Sequence, residues 1–272
     1  MSSDRRSERL FQRGTGVGKV ILGLGTSFIL GLLVGAGVFS HLLHLEGAGG
    51  RIWSVENVRE TSVPIAAVRS DGAGMICQLT VRIFPGEGRV LVDTSPLVGF
   101  DFQYANITAL KVACDITGIA RDEDGEGIKG ADVLFIVCTP TGERVEVQAI
   151  DGPSAGAITA IALIAAIENR KVRRDVVLTG TIQEDGTIGP VGGILSKAQA
   201  AEEIGAGLFL VPPGQSKVVT YRQVTYQPFP GFQWVTWEPV VVDLNEYAEN
   251  HGWAIRIEEV SNIEEVMEKI LE

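Results

Sequence analysis

Three hydrophobic patterns follow one another along the chain. Residues 20–45 (VILGLGTSFILGLLVGAGVFSHLLHL) contain no charge at all. About 20 apolar residues are enough to cross a bilayer as a helix, and glycines such as Gly23, Gly31 and Gly35 are common in membrane helices. The pattern predicts a single transmembrane anchor at 20–45, after a basic tail at 1–19 and before a linker at 46–62 that is Gly-rich and then polar. A second pattern, short apolar runs broken by turn residues, starts beyond the linker. Residues 63–68, 75–84 and 89–93 read as strands, separated by Asp71-Gly72 and by Pro85-Gly86-Glu87-Gly88. The third is AGAITAIALIAAIE at 155–168, apolar nearly all round, which must be a helix buried on most sides.

The remaining elements fit around that helix. Helical spacing of apolar residues at 102–116 ends at Gly118, a C-cap residue type. Residues 131–138 and 144–150 flank Thr139-Pro140-Thr141-Gly142 and read as a hairpin. A strand at 175–182, a turn at Glu184-Asp185-Gly186, a helix at 194–204 and a strand at 208–211 come next. The tail reads as helix 243–251, strand 253–260 and helix 262–271, the last with Ser261 as N-cap. Together these predict one α+β domain of mixed sheets and helices over 63–272, preceded by the transmembrane helix.

Charge sets the orientation and removes some functions. Arg5, Arg6, Arg9, Arg13 and Lys19 precede the apolar run, and only Arg51 and Arg59 follow it within a similar distance. The positive-inside rule then predicts a single-pass membrane protein with a cytoplasmic N-terminus and an extracytoplasmic domain. A cleaved signal peptide ending near Val38-Phe39-Ser40 would orient the domain the same way. Asn106-Ile107-Thr108 matches an N-glycosylation acceptor and fits that topology. The net charge of -11 gives no general attraction to nucleic acid. Cys77, Cys114 and Cys138 are isolated, and His41, His44 and His251 do not cluster, so neither a metal site nor a cofactor is expected.

The chemistry concentrates in Asp151-Gly152-Pro153-Ser154-Ala155-Gly156, where a strand hands over to the buried helix. A serine placed there sits beside N–H groups that have no intrahelical partner, around Gly152 and Ala155, and such donors can hold an oxyanion. The glycines would also let a scissile backbone approach closely. The same hexapeptide reads equally well as a helix cap. A serine nucleophile needs a base. His41 and His44 lie in the apolar run and His251 ends a polar helix, which leaves a lysine held neutral by its surroundings. Lys197 fits that role: it lies in the first turn of its helix, where the helix dipole disfavours a cation, among Ile194, Ala198, Ala200 and Ala201.

The stretch from Asp151 to Pro212 resembles the proteolytic domain of Lon proteases, which carry a Ser-Lys dyad. DGPSAG matches the Lon serine motif, Gly192-Gly193-Ile194-Leu195-Ser196-Lys197 matches its lysine motif, and the separation from Ser154 to Lys197 is the one seen in Lon. The resemblance implies Ser154 as nucleophile and Lys197 as base. It places Thr179, in Leu178-Thr179-Gly180, as support for the lysine, and Asp151 as the acidic residue that opens the serine motif. It further implies protein or peptide substrates and a ring-shaped homo-oligomer, a hexamer being the form to expect. Thr181 and Ser196 stand where Lon usually has acidic residues. No G-x-x-x-x-G-K-[ST] loop occurs in these residues, so the expected activity is ATP-independent endopeptidase action on unfolded or flexible chains at the membrane surface. A scaffold that keeps the fold for assembly is one rival. A small-molecule kinase is another, because some kinases share a similar fold.

The resemblance fades after Val211. Residues 215–240 are rich in tyrosine and tryptophan and read as an extended hairpin packed on the core. A substrate flap, a subunit contact or a membrane-facing edge is the functional alternative, with Phe229, Phe232, Trp234 and Trp237 as its test residues.

Overall fold

β-Branched residues on alternating positions build the first sheet. The structure, a computed structural model, describes residues 58–93, 96–139, 141 and 149–272. Strands β1 (Arg59–Val68), β2 (Gly74–Pro85), β3 (Val90–Val92) and β5 (Ala131–Cys138) form a four-stranded sheet in the order β1-β2-β5-β3. Its first three strands are antiparallel, and β3 joins β5 in parallel. Leu79, Val81 and Ile83 of β2 are fully buried, as are Val133 and Phe135 of β5. β1 begins at Arg59, so its first residues lie within the segment read from sequence as linker.

Helix α1 (Phe100–Thr117) ends at Gly118 with φ 67°, as the sequence predicts. Its polar pair Asn106 and Thr108 faces inward. Asn106 is only 1% exposed, which removes it as a glycan acceptor: the triplet is a helical turn facing the core. The hairpin expected around residues 139–142 is not borne out at its far end. The short strand β6 (Ala149–Ile150) pairs in parallel with β4 (Leu97–Val98), while β5 has β2 and β3 as its neighbours. Residues 142–148 lie outside the described residues, as do the basic tail, the anchor at 20–45 and the linker up to residue 57. Among the described residues, no helix is long and apolar enough to cross a membrane.

A 3-10 turn, Pro153–Ala155, opens helix α2 (Gly156–Glu168). Every residue from Gly156 to Ile167 is buried, so the helix occupies the centre of the domain. It packs on α1, β1, β2 and the C-terminal helix α5 (Ile263–Ile270). Each fully buried isoleucine or leucine on it contributes roughly 1.5–3 kcal/mol of apolar transfer.

The strand expected at 175–182 is broken. β7 (Val176–Leu178) and β8 (Thr181–Ile182) flank Thr179-Gly180, where the chain leaves one sheet for another. β8 forms a hairpin with β9 (Ile188–Gly189), while β7 joins an all-parallel sheet in the order β13-β10-β7. β10 is Leu208–Val211 and β13 is Arg256–Glu259. Helix α3 (Ile194–Glu203) packs across β1, β2 and β10. In the tail, α4 (Leu244–Asn250) is capped by Asp243, whose carboxylate accepts from Asn245 and Glu246 N–H. The N-cap of α5 is Asn262, one residue beyond the expected Ser261: its side chain accepts from Glu265 N–H, and Glu265 reaches back to Ser261 N–H.

Strands β11 (Lys217–Phe229) and β12 (Phe232–Asp243) pair only with each other. This is the extended hairpin foreseen at 215–240, but only its base packs on the core, through Val218. Tyr221, Phe229, Phe232, Trp234 and Trp237 are all exposed.

Candidate active site

The backbone around Ser154 is set by one glycine. Gly152 has φ 106° and ψ 146°, a conformation that side-chain-bearing residues rarely adopt, and it turns the chain from β6 into the 3-10 turn. Pro153 then supplies a pre-set φ and no N–H. Asp151 accepts from Gly152 N–H at 2.8 Å and from Phe102 N–H, in the first turn of α1, at 3.3 Å. Its carboxylate therefore braces the Ser154 turn against the N-terminus of α1, where an anion is favoured. The bond to Asp151 also takes Gly152 N–H out of the oxyanion donors expected from the sequence. Ala155 follows the serine, half-buried, and its carbonyl accepts from Thr159 Oγ1 at 2.9 Å.

The lysine arrives from the other side. Gly193, with φ 69°, starts α3, and a Cβ added there would lie 2.5 Å from Val68 Cγ2, so the helix is seated directly against β1. One turn on, Lys197 N–H closes on the Gly193 carbonyl at 3.0 Å. The side chain of Lys197 is 3% exposed, the one buried cation among the described residues. Burial pushes its pKa down to about 8, and no nearby charge contributes to the shift. The sequence placed this lysine among alanines, and the structure buries Ala198, Ala200 and Ala201 beside it.

Thr179 connects the two elements. It sits at the break between β7 and β8, where its N–H still donates to Leu210 on the neighbouring strand β10 at 3.0 Å. Lys197 Nζ donates to Thr179 Oγ1 at 3.2 Å, and Thr179 Oγ1 donates to the Ser154 carbonyl at 3.3 Å. Gly180 N–H donates to the same carbonyl at 2.9 Å, and Ala157 N–H returns a bond to the Gly180 carbonyl at 3.1 Å. The threonine hydroxyl is thus used once as acceptor and once as donor. With its proton directed at Ser154, it does not compete for the lone pair of a neutral amine. Ser154 itself is half-buried, and its hydroxyl has no hydrogen bond among the described residues. The serine and the lysine are tied through Thr179 and the serine's main chain.

Two supporting residues have no clear signal in the sequence. Thr159 Oγ1 bonds the Ala155 carbonyl and lies 3.3 Å from Asn106 Oδ1, and both side chains are buried beneath the Ser154 turn. Asn106 Nδ2 is buried without a partner. A polar residue on the apolar face of α1 and another in the all-apolar α2 were the only hints. Cys77 and Cys114 are buried thiols whose pKa values burial raises, to about 11 and about 12, which makes them unreactive. His251 is exposed and stacked on Tyr247, with no part in this arrangement.

Residues 139–221 match the family model of the Lon protease (S16) C-terminal proteolytic domain. The match takes in Ser154, Thr179 and Lys197. The Lon protease of Desulforamulus reducens is 43% identical over 67 residues, 25% of this chain and 8% of that protein. The archaeal Lon protease of Thermococcus kodakarensis is 28% identical over 182 residues, covering 61% of this chain and 26% of its own length. That of Pyrococcus abyssi is 33% identical over 111 residues, 41% of this chain and 10% of its own. The chain therefore aligns with about a quarter or less of the curated relatives it matches.

Proposed function

We propose that this chain is a serine endopeptidase in which Ser154 is the nucleophile and Lys197 its general base. The observation that carries the reading is a buried amine with a depressed pKa and no carboxylate beside it, hydrogen-bonded to a threonine that also holds the serine's main chain. A lysine in such a place has a usable neutral fraction near neutral pH. The similarity to Lon proteases points to the same chemistry.

In the proposed reaction Ser154 Oγ attacks a peptide carbonyl while its proton passes to the neutral Lys197 Nζ. The oxyanion is held by N–H groups of the Pro153–Ala155 turn, those of Ser154 and Ala155. Collapse of the intermediate breaks the C–N bond, and the Lys197 ammonium gives its proton to the departing amine. Water then attacks the acyl-enzyme, its proton going to Lys197 and on to Ser154 Oγ as the acid leaves. Asp151 acts through the backbone, by keeping the turn in place.

The wider reading joins this site to the N-terminal run. The chain is held in a membrane by residues 20–45, with the N-terminus cytoplasmic and the domain outside, and it acts on unfolded or flexible protein at that surface. With no nucleotide-binding loop in these residues, hydrolysis proceeds without ATP. The domains act as a homo-oligomer, with a ring as the expected form. The test is hydrolysis of an unfolded protein by the purified full chain without nucleotide, against Ser154→Ala and Lys197→Ala. Both variants should be inactive. Full activity in either one, or phosphate transfer from ATP, would overturn the reading.

A further inference from the structure

The β11–β12 hairpin is the part of the domain that the proposed chemistry leaves unexplained. An isolated two-stranded ribbon is marginal in water, yet this one has strands of 13 and 12 residues and no third strand among the described residues. Its register separates two faces. On one, Val218, Thr220, Val240 and Val242 are half-buried near the base, and Arg222 lies opposite Glu238. On the other, Val219 faces Val241, Tyr221 faces Pro239, Gln223 faces Trp237 and Thr225 faces Val235. That second face has no charge between Lys217 and Asp243 at its base, and it lies open to solvent, with Trp237 61% and Val241 66% exposed.

The tip is uncharged in sequence, with one carboxylate reaching it from the other face, Glu238, which accepts from the Tyr226 hydroxyl. Residues 223–237 carry no charge, in a chain whose net charge is -11. Phe229 stacks on Phe232, Tyr226 stacks on Trp234, and Phe232 meets Trp234 edge-on, all of them exposed. A protein partner would bring a charged or polar rim and cover one face. Aromatic side chains distributed around an uncharged tip suit the headgroup boundary of a bilayer, where tryptophan and tyrosine concentrate. Lipid can cover the uncharged face and the tip without a complementary shape.

Only residues 46–57, at most about 40 Å of chain, separate the apolar run from the described domain, and a 13-residue strand is itself about 40 Å long. The domain that carries the hairpin is therefore tethered near the surface of the expected anchor.

We propose that the β11–β12 hairpin docks on the membrane, laying its uncharged face and aromatic tip into the boundary between headgroups and acyl chains. This rests on the reading of residues 20–45 as an anchor, and it adds a second contact that fixes the orientation of the domain over the bilayer. Since the chain is acidic, docking is apolar and needs no anionic lipid.

The test uses the full chain with Trp237 as its one tryptophan (Trp53→Phe, Trp234→Phe, Trp253→Phe), in phosphatidylcholine vesicles with brominated acyl chains. Docking predicts that bromine quenches more than half of the Trp237 emission. It also predicts that a chain keeping only Trp253, in the body of the domain, stays unquenched, at unchanged thermal midpoints. Unquenched Trp237 in a chain that floats with the vesicles overturns the docking and leaves the anchor standing. A chain that does not float at all overturns both. Copies cross-linked through Val241→Cys, with Trp237 unquenched, assign the face to a second copy of the chain and overturn the lipid contact.

Discussion

Asp132 and Lys197 are both buried ionisable side chains, one 0% and the other 3% exposed, and both have lowered pKa values. The same direction means opposite things. At Asp132 burial alone would raise the pKa, but the hydrogen bonds from the Arg89 side chain and from the backbone N–H groups of Arg89 and Glu87 outweigh it. The carboxylate therefore stays charged and pins the turn between β2 and β3. Lys197 has no such compensation, so burial favours its neutral form. One site uses a buried charge to hold backbone. The other makes the charge costly and so raises the share of neutral amine able to take a proton near neutral pH.

The contrast predicts that the two residues respond oppositely to removal. The largest effect expected is on activity: Lys197→Met should lower hydrolysis of an unfolded protein by about a thousandfold or more, as loss of a nucleophile's base does. The same variant should be more stable at neutral pH by on the order of 1–3 kcal/mol in urea unfolding, since an apolar chain replaces a buried amine that has no counter-ion and one hydrogen bond, to Thr179. A destabilised Lys197→Met would break the comparison. Asp132→Ala should instead cost roughly 3 kcal/mol, because three turn N–H groups lose their acceptor.

The pH dependence separates them further. The folded pKa of Lys197 lies below its ordinary value near 10.5, so between about 8 and 10.5 the unfolded chain holds a proton that the folded chain has lost. Stability should then rise with pH across that window, by on the order of 3 kcal/mol from this residue, and Lys197→Met should lack that rise. Activity should climb about tenfold per pH unit below 8 and level off above it. Asp132 has the same sign in a lower window: its contribution is present above the usual carboxylate range and is lost as acid protonates it. The smallest effect sharpens the link between serine and lysine. Thr179→Val removes one acceptor and one donor and should cost about 10–100-fold in kcat, while Thr179→Ser should recover most of it.

Much of this was legible beforehand because it is local. The 155–168 run announces a helix buried all round, Gly118 a helix end, and the serine and lysine motifs the two halves of the site. What escaped depends on contacts between distant segments. The strand at 175–182 reads as continuous because its residues favour extended backbone, and only the departure of β8 towards β9 breaks it at Thr179. Asn106 reads as a glycan acceptor because the triplet carries no record of which face of α1 turns inward. Gly152 promised a free N–H, and the nearest taker was the carboxylate of the preceding residue. The hairpin was foreseen as a hairpin, with packing on the core and an exposed edge both left open: apolar side chains in sequence imply a cover without saying that the cover belongs to the same chain.

The parallel sheet has a consequence in time. β10 is hydrogen-bonded to β7 on one side and to β13, the second-last element of the chain, on the other. Lys197 sits on a helix packed over that sheet, beside Ala198 and Ala201, which share a core with Ile255 and Ile257. During synthesis Ser154, Thr179 and Lys197 are all made before the strand that closes the sheet. The core beneath the lysine therefore stays open until residue 259 has joined β10. A nascent chain therefore carries Ser154 while the setting of Lys197 is unfinished, so the order of synthesis itself delays assembly of the site until β13 is in place.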